Sequence, residues 1–306
     1  MPADSSRSLL PFLPFLPVLS VCMGVAAFSA MDATMKSASI AVGVFTALLL
    51  RNLFAVLLTV PLWLLAGRPV PGRAVLLVHA QRAAIIALMA SLFFYGLVRV
   101  PMAEAIAMSF IAPIMALYFA AILLGEKIRP RAIAASALGI FGVLVIGLGQ
   151  FGSGEFSAEA VKGTAAVLVS AMFYALNLVF QRKQALLAGP VEIALFQNSM
   201  VAAIFMAFAP WLAVAPDAAT LRTTLAGAAL ATTAILFLSW GYARAETQVL
   251  VPVEYTGFLW AALFGWLIFA EEVGLSTLAG TVLIVIGCWI GARNSPARPL
   301  NEGTPS

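Results

Sequence analysis

The sequence predicts an all-α integral membrane protein: ten transmembrane helices arranged as two inverted five-helix repeats. Three observations lead there. The 306-residue chain is 63% hydrophobic and only 10% charged, with a mean hydropathy of +1.04, whereas a soluble domain carries roughly 25% charged residues. Its apolar residues fall into long runs of about 20, the length of helix that crosses a hydrocarbon layer. Finally, the pattern of 103–147 returns 145 residues later, from Gln248 to Ala292. At that offset Gly96 meets Gly241, Arg99 meets Arg244, Phe119 meets Phe264, Glu126 meets Glu271 and Gly142 meets Gly287. The Gly, Arg and Glu matches weigh most, because they mark the ends of both copies, and paired copies are a transporter architecture.

Taken in order, residues 1–12 form a polar, proline-containing tail. Apolar segments follow at 13–33, 42–66, 74–97, 102–124 and 132–150, which make the first repeat (13–150). The second repeat (151–292) holds segments at 163–181, 191–213, 223–242, 248–269 and 275–292, and 293–306 is a polar, disordered tail. Strands are excluded, because a transmembrane strand needs only about ten alternating residues. The first segment, preceded by Arg7 and ending in small residues at Ala27–Ala30, has some look of a signal peptide; it is long enough to span and is counted as a helix.

Lys and Arg set the orientation. With the N-terminus in the cytoplasm, the inside receives Arg7, Arg68, Arg73, Lys127, Arg129, Arg131, Arg182, Lys183, Arg244, Arg293 and Arg298, and the outside only Lys36, Arg99, Lys162 and Arg222. Both termini are therefore expected in the cytoplasm. Five helices per half is an odd number, so the halves are inverted. Gly-rich faces in segments five and ten (Gly139 and Gly142; Gly280 and Gly287) allow close helix packing, within a monomer or between the subunits of a homodimer.

Composition also excludes function classes. The net charge of +4 is spread over the ends of apolar runs and is not a nucleic-acid signal. Cys22 and Cys288 lie inside apolar runs and read as packing residues; His79, the single histidine, builds no metal centre. There is no phosphate-binding GxxxxGK[ST] loop, no HExxH and no GxSxG. No cofactor or metal is expected, and the partners are the lipid bilayer and a small-molecule substrate.

Ionisable groups inside a bilayer are costly and are kept where they pair or face a cavity. Asp32 and Lys36 lie four apart on one helical face, either as a structural pair or as a gate or substrate contact. Arg51, in segment two, snorkels, pairs with Asp32 or binds an anion. Glu104 reads as a cap for segment four, and Glu126 and Glu271 as organisers of the turns they open. Glu254 lies between Pro252 and Gly257, which loosen the backbone where it is buried in protein or lines a cavity. That carboxylate binds a cationic group, takes up a proton, or makes a polar contact at the interface. Pro113 predicts a break in segment four. Tyr174, Asn177 and Gln181, spaced three and four apart, share one face and form the best uncharged candidate site. Tyr95, Ser109, Trp240 and Tyr255 complete the candidate substrate contacts, with some aromatics serving as interface belts.

These residues resemble the drug/metabolite transporter superfamily, EamA type, over about 14–292. The resemblance rests on Met31-Asp32-Ala33 with Lys36, on Arg51-Asn52, and on Ala112-Pro113 through Leu124-Gly125-Glu126-Lys127. In the second half it rests on Pro252, Tyr255, Trp260-Ala261-Ala262 and Glu271. The second copy departs mildly, with Ala270-Glu271 where Gly-Glu is usual. The resemblance implies ten helices in inverted repeats, a central cavity, a bacterial inner membrane and transport without ATP. The Met-Asp-Ala and Glu-Tyr stretches look most like the branch of S-adenosylmethionine and riboflavin importers.

The expectation is a secondary transporter of a small polar or amphipathic metabolite, its path lined by segments one, three, four, six, eight and nine. One alternative is a proton-coupled exporter of toxic amphipathic cations with Glu254 as the exchanging carboxylate. An integral membrane enzyme is the alternative of another class, and the scattered carboxylates with one histidine speak against it.

Overall fold

Residues 16–65 are unbroken helix in all but one residue. Nothing from Leu16 to Val42 interrupts a helix, and the backbone leaves helical geometry only at Gly43 (φ 80°, ψ 153°), a conformation that an L side chain resists. A straight helix of this length would run about 75 Å, more than twice a hydrocarbon layer. It folds back instead: Arg51 Nη1 lies 3.7 Å from Met31 Sδ, twenty residues earlier. This corrects the expected boundary. Residues 34–41, read as a connecting loop, are helical, because they contain neither Gly nor Pro, and Lys36 therefore sits inside a helix.

The computed structural model describes residues 16–67, 70–124, 130–152, 157–185, 187–242 and 253–292. Its elements are α1 (Leu16–Leu65), α2 (Arg73–Leu97), α3 (Met102–Ser109), α4 (Ala112–Leu124), α5 (Pro130–Gly152), α6 (Ala158–Ala185), α7 (Pro190–Leu212), α8 (Ala218–Tyr242), α9 (Thr256–Phe269) and α10 (Leu275–Ala292). Among the described residues there is no strand. Five helices, beginning at Leu16, Arg73, Ala158, Pro190 and Ala218, are by themselves long and apolar enough to cross a membrane. Both tails, Glu126 and Pro252 lie outside the described residues.

The fourth predicted segment is two helices. α3 stops at Ser109 and α4 starts at Ala112, with a turn at Phe110–Ile111. Pro113 has no N–H to offer the carbonyl four residues back, so the break falls before the proline. A second turn residue, Tyr255, separates helical Val253–Glu254 from α9. α8 begins on a side-chain cap: Thr220 N–H donates to Asp217 Oδ1 at 2.8 Å, and hydrogen bonds from Thr220 hold the Asp217 carboxyl below its usual value.

The core runs between helices of both halves. Met35, Leu48, Leu97, Met102, Met108, Ile146, Val167 and Ile284 are fully buried. Many large apolar side chains point outward, Leu57, Leu65, Ile122 and Trp211 among them, as a lipid-facing surface requires. α1 packs along α8, α2 along α6 and α5 along α10. Two of these contacts are built alike. A Cβ on Gly96 would meet Val167 Cγ2 at 2.5 Å and Gly163 O at 2.7 Å; a Cβ on Gly241 would meet Val21 Cγ2 at 2.6 Å and Pro17 O at 3.0 Å.

The α5–α10 crossing is backbone against backbone. A Cβ on Gly142 would lie 2.6 Å from Gly280 O, and one on Gly280 2.5 Å from Gly142 O. Gly142 and Gly280 thus meet within one chain, while Gly139 faces Ile114 of α4. Gly142→Leu should force these helices apart and destabilise the protein by about 1–3 kcal/mol. Thermal unfolding in detergent reads this as a lowered Tm, and an unchanged Tm would show that the crossing has slack.

Candidate functional site

Three polar groupings lie inside the bundle. At one end, Lys36 of α1, 5% exposed, pairs with the Glu271 carboxylate and donates to Val100 O at 3.0 Å. Its ammonium also lies 4.9 Å from the centroid of the Phe269 ring. Glu271 follows α9, where Ala270 turns the chain in the left-handed region (φ 54°). The second carboxylate oxygen of Glu271 accepts from Met102 N–H at 2.7 Å. One carboxylate thus neutralises Lys36 and caps the positive end of α3. Glu104, in the first turn of α3, accepts from Thr277 Oγ1 of α10 at 3.2 Å. The expected i, i+4 partner of Lys36 was Asp32; the fold delivers Glu271 instead, from 235 residues away.

Asp32 is not part of this end cluster. It lies in the field of Arg51 on the second limb of α1. Tyr174 of α6 lies within electrostatic range of Glu254, Asp32 and Arg82. Asp32, Arg51, Tyr174 and Glu254 are each half-buried.

The third grouping joins α2, α6 and α7. Arg82 Nε donates to Asn177 Oδ1 at 2.8 Å, Nη1 to Gln184 Oε1, and Nη2 to Gln181 Oε1 at 3.3 Å. The Gln184 amide nitrogen contacts His79 Nδ1 and lies 3.3 Å from Gln197 Oε1. His79 Nε2 faces Glu192 Oε1 at 3.4 Å, and its ring stacks on Phe196 with centroids 5.9 Å apart. With the Gln184 amide donating to Nδ1, the imidazole carries its proton on Nε2 and points it at Glu192.

Of the sequence-predicted residues, Asp32, Arg51, Tyr174, Asn177, Gln181 and Glu254 fall in or beside these groupings. Lys36 belongs to the end cluster. Tyr95 is elsewhere: Arg99 lies over its ring at 3.5 Å and pairs with Glu159 at the opposite edge of α6. Trp240 is exposed. Ser109 Oγ bonds back to Ala105 O at 2.8 Å. Tyr255 packs edge-on against Phe110, centroids 5.2 Å apart. Gly257 is buried in α9, and its carbonyl accepts from Ser29 Oγ at 3.4 Å. Arg82, His79 and Gln184 went unremarked as site residues. Two signals mark them: Gln184 continues the spacing of Asn177 and Gln181 by another three residues, and His79 and Arg82 are themselves three apart.

The profile of the EamA-like transporter family matches the chain twice, at residues 15–148 and 161–292. The chain belongs to the EamA-like transporter family. It is 28% identical over 265 residues to the pseudopaline exporter of Pseudomonas aeruginosa, covering 85% of this chain and 90% of that one. It is 23% identical over 243 residues to a riboflavin transporter of Brucella anthropi (77% and 83% covered). It is 30% identical over 224 residues to a probable terminal-alkyne amino-acid exporter of Streptantibioticus cattleyicolor (69% and 71% covered). A solved crystal structure superposes with a TM-score of 0.59 at 22% identity, over 90% of this chain and 96% of the other. The chain is a multi-pass membrane protein of the drug/metabolite transporter type.

The Lys36–Glu271 pair is open to test. Either Lys36→Met or Glu271→Gln should lower stability by about 1–3 kcal/mol, because each leaves a charge without its partner in an apolar setting. The double variant should cost less than the sum, and strictly additive Tm losses would show that the two residues do not interact.

Proposed function

We propose that this protein is a secondary transporter of a small amphipathic metabolite, moved by alternating exposure of the cluster around Tyr174. The observation that carries the reading is the meeting of polar groups from both halves: Arg82 of the first bonds to Asn177 and Gln181 of the second, with Asp32, Arg51 and Glu254 in electrostatic range of one another or of Tyr174. Intramembrane charges of both signs, contributed by both halves, provide contacts for a molecule that is itself charged, and half-burial leaves them reachable.

The ten-span reading draws on the same structure. α1 supplies two spans across the Gly43 reversal, α3 with α4 supplies one, and the remaining helices supply the rest. The matched approaches at Gly96 and Gly241, and the 145-residue offset, support inverted halves that rock about the cluster. Lys36–Glu271 closes one end of the path and must separate for that end to open. By the distribution of Lys and Arg this is the outer end, with both termini in the cytoplasm of a bacterial inner membrane. The relatives that export pseudopaline and an amino acid, or carry riboflavin, support a metabolite as cargo.

The test is binding followed by flux. Thermal stability in detergent should rise with a cognate metabolite by about 2.7 kcal/mol at a concentration one hundred times its Kd. The panel contains amino acids, S-adenosylmethionine, riboflavin, purines and quaternary amines. The compound that binds should accumulate in proteoliposomes, and Glu254→Gln should abolish accumulation. Binding of a quaternary amine alone, with flux driven by a proton gradient and lost in Glu254→Gln, would instead establish the cation-exporter alternative. Binding without flux of any panel compound would sink the transport reading.

A further inference from the structure

Among the described residues, Arg82 is a cation held without an anion. Its partners Asn177, Gln181 and Gln184 are all neutral amides. Among the described residues no carboxylate lies within ion-pair distance of it. Lys36 differs in having Glu271 as an ion-pair partner, and Arg51 in lying in the field of Asp32. A buried charge is costly unless an opposite charge accompanies it, so an unneutralised guanidinium at this depth calls for a reason.

The amides fix its position without cancelling its charge. A guanidinium has five N–H donors. Three are taken, which leaves one on each terminal nitrogen, the number that a carboxylate takes up in a bidentate contact. The orientation is enforced from behind. Gln184 presents its oxygen to Arg82 because its nitrogen is engaged by His79 and Gln197, and His79 is in turn oriented by Glu192. The open side is the Gln181 side: Gln181 is exposed and Arg82 half-buried. Tyr174 lies within electrostatic range of Arg82 and of the acids Glu254 and Asp32. A molecule carrying both charges would have its anionic end at Arg82 and its cationic end toward the acids.

We propose that Arg82, oriented by Asn177, Gln181 and Gln184, is the anchor for a free carboxylate on the transported molecule, which makes the substrate an amino acid or an amino-acid conjugate. This rests on the transport reading above for what happens after binding, and not for binding itself.

The experiment compares acids with their decarboxylated amines on the detergent-solubilised full-length protein: L-phenylalanine with phenethylamine, L-leucine with isopentylamine, and L-arginine with agmatine. Binding is read by equilibrium dialysis and flux by proteoliposome uptake. At least one acid should bind about tenfold or more tighter than its amine, the effect of losing a charge-assisted bidentate contact. Arg82→Gln should erase that ratio, and Arg82→Lys should keep part of it, because an ammonium retains the charge and loses the fork. Equal affinity of every acid and its amine in the native protein, a ratio that survives Arg82→Gln, or no binding by any of the acids overturns the proposal. The acid–amine comparison needs no variant, so poor folding of Arg82→Gln does not rescue it. Arg82-dependent acid binding without flux would overturn transport and leave the anchor standing. Acid flux undiminished in Arg82→Gln would do the reverse.

Discussion

The ammonium of Lys36 constrains one whole end of the molecule. It sits inside a helix, shielded from solvent, and an uncompensated cation there would be expelled or neutralised. Glu271 supplies the compensation, and its second oxygen caps α3 at Met102. The Val100 carbonyl, from the same α2–α3 connection, takes another ammonium hydrogen. Three elements distant in sequence therefore share one charge: α1, the α2–α3 connection and the α9–α10 turn. None can move away alone without leaving an ion or a helix end unsatisfied. If they part together and water enters, every group finds a substitute partner, so a cluster of this kind resists partial opening more than full opening.

Charges elsewhere are treated according to their depth. Arg99, Glu159 and Lys162 form an exposed network of the sort that contributes little, about 0–1 kcal/mol per pair. Arg51 and Asp32, deeper, offset each other within the α1 hairpin. Arg82 is the exception, solvated by amide oxygens and left positive. Amide solvation is weaker than ion pairing yet directional, and a strong acid among the amides would occupy the guanidinium permanently.

Much of this was legible in the chain. Helical spans follow from run length and composition, because the bilayer permits few alternatives. The α3–α4 break was legible from Pro113, although it falls before the proline, where the missing N–H acts. The Tyr174–Asn177–Gln181 face followed from spacing alone. What the sequence withheld was partnership. Spacing within α6 says that these side chains share a face, and nothing in it says that Arg82 is opposite. Asp32 and Lys36 look like partners because they are four apart, yet Glu271 outcompetes that local pairing once the helices pack. Residues 34–41 read as a loop because a lysine was expected in water; the backbone had no reason to leave the helix until Gly43.

The two breaks in the bundle bear on where a substrate site belongs. Phe110 and Tyr255 stand 145 residues apart, at the turn between α3 and α4 and at the turn before α9. Their rings touch edge to face. On the inverted-repeat reading these are equivalent positions, and a residue that meets its own counterpart lies on the axis relating the halves. The residues one step earlier, Ser109 and Glu254, are then equivalents flanking that axis. The chain has placed a carboxylate on one side and a hydroxyl bonded back to its own helix on the other. An axis exchanges the two ends of the path while leaving its own neighbourhood in place, so groups beside it keep their partners when the halves rock. Glu254 occupies such a position. On the proposed rocking of the halves, it is placed to keep its contacts while Lys36–Glu271 must part.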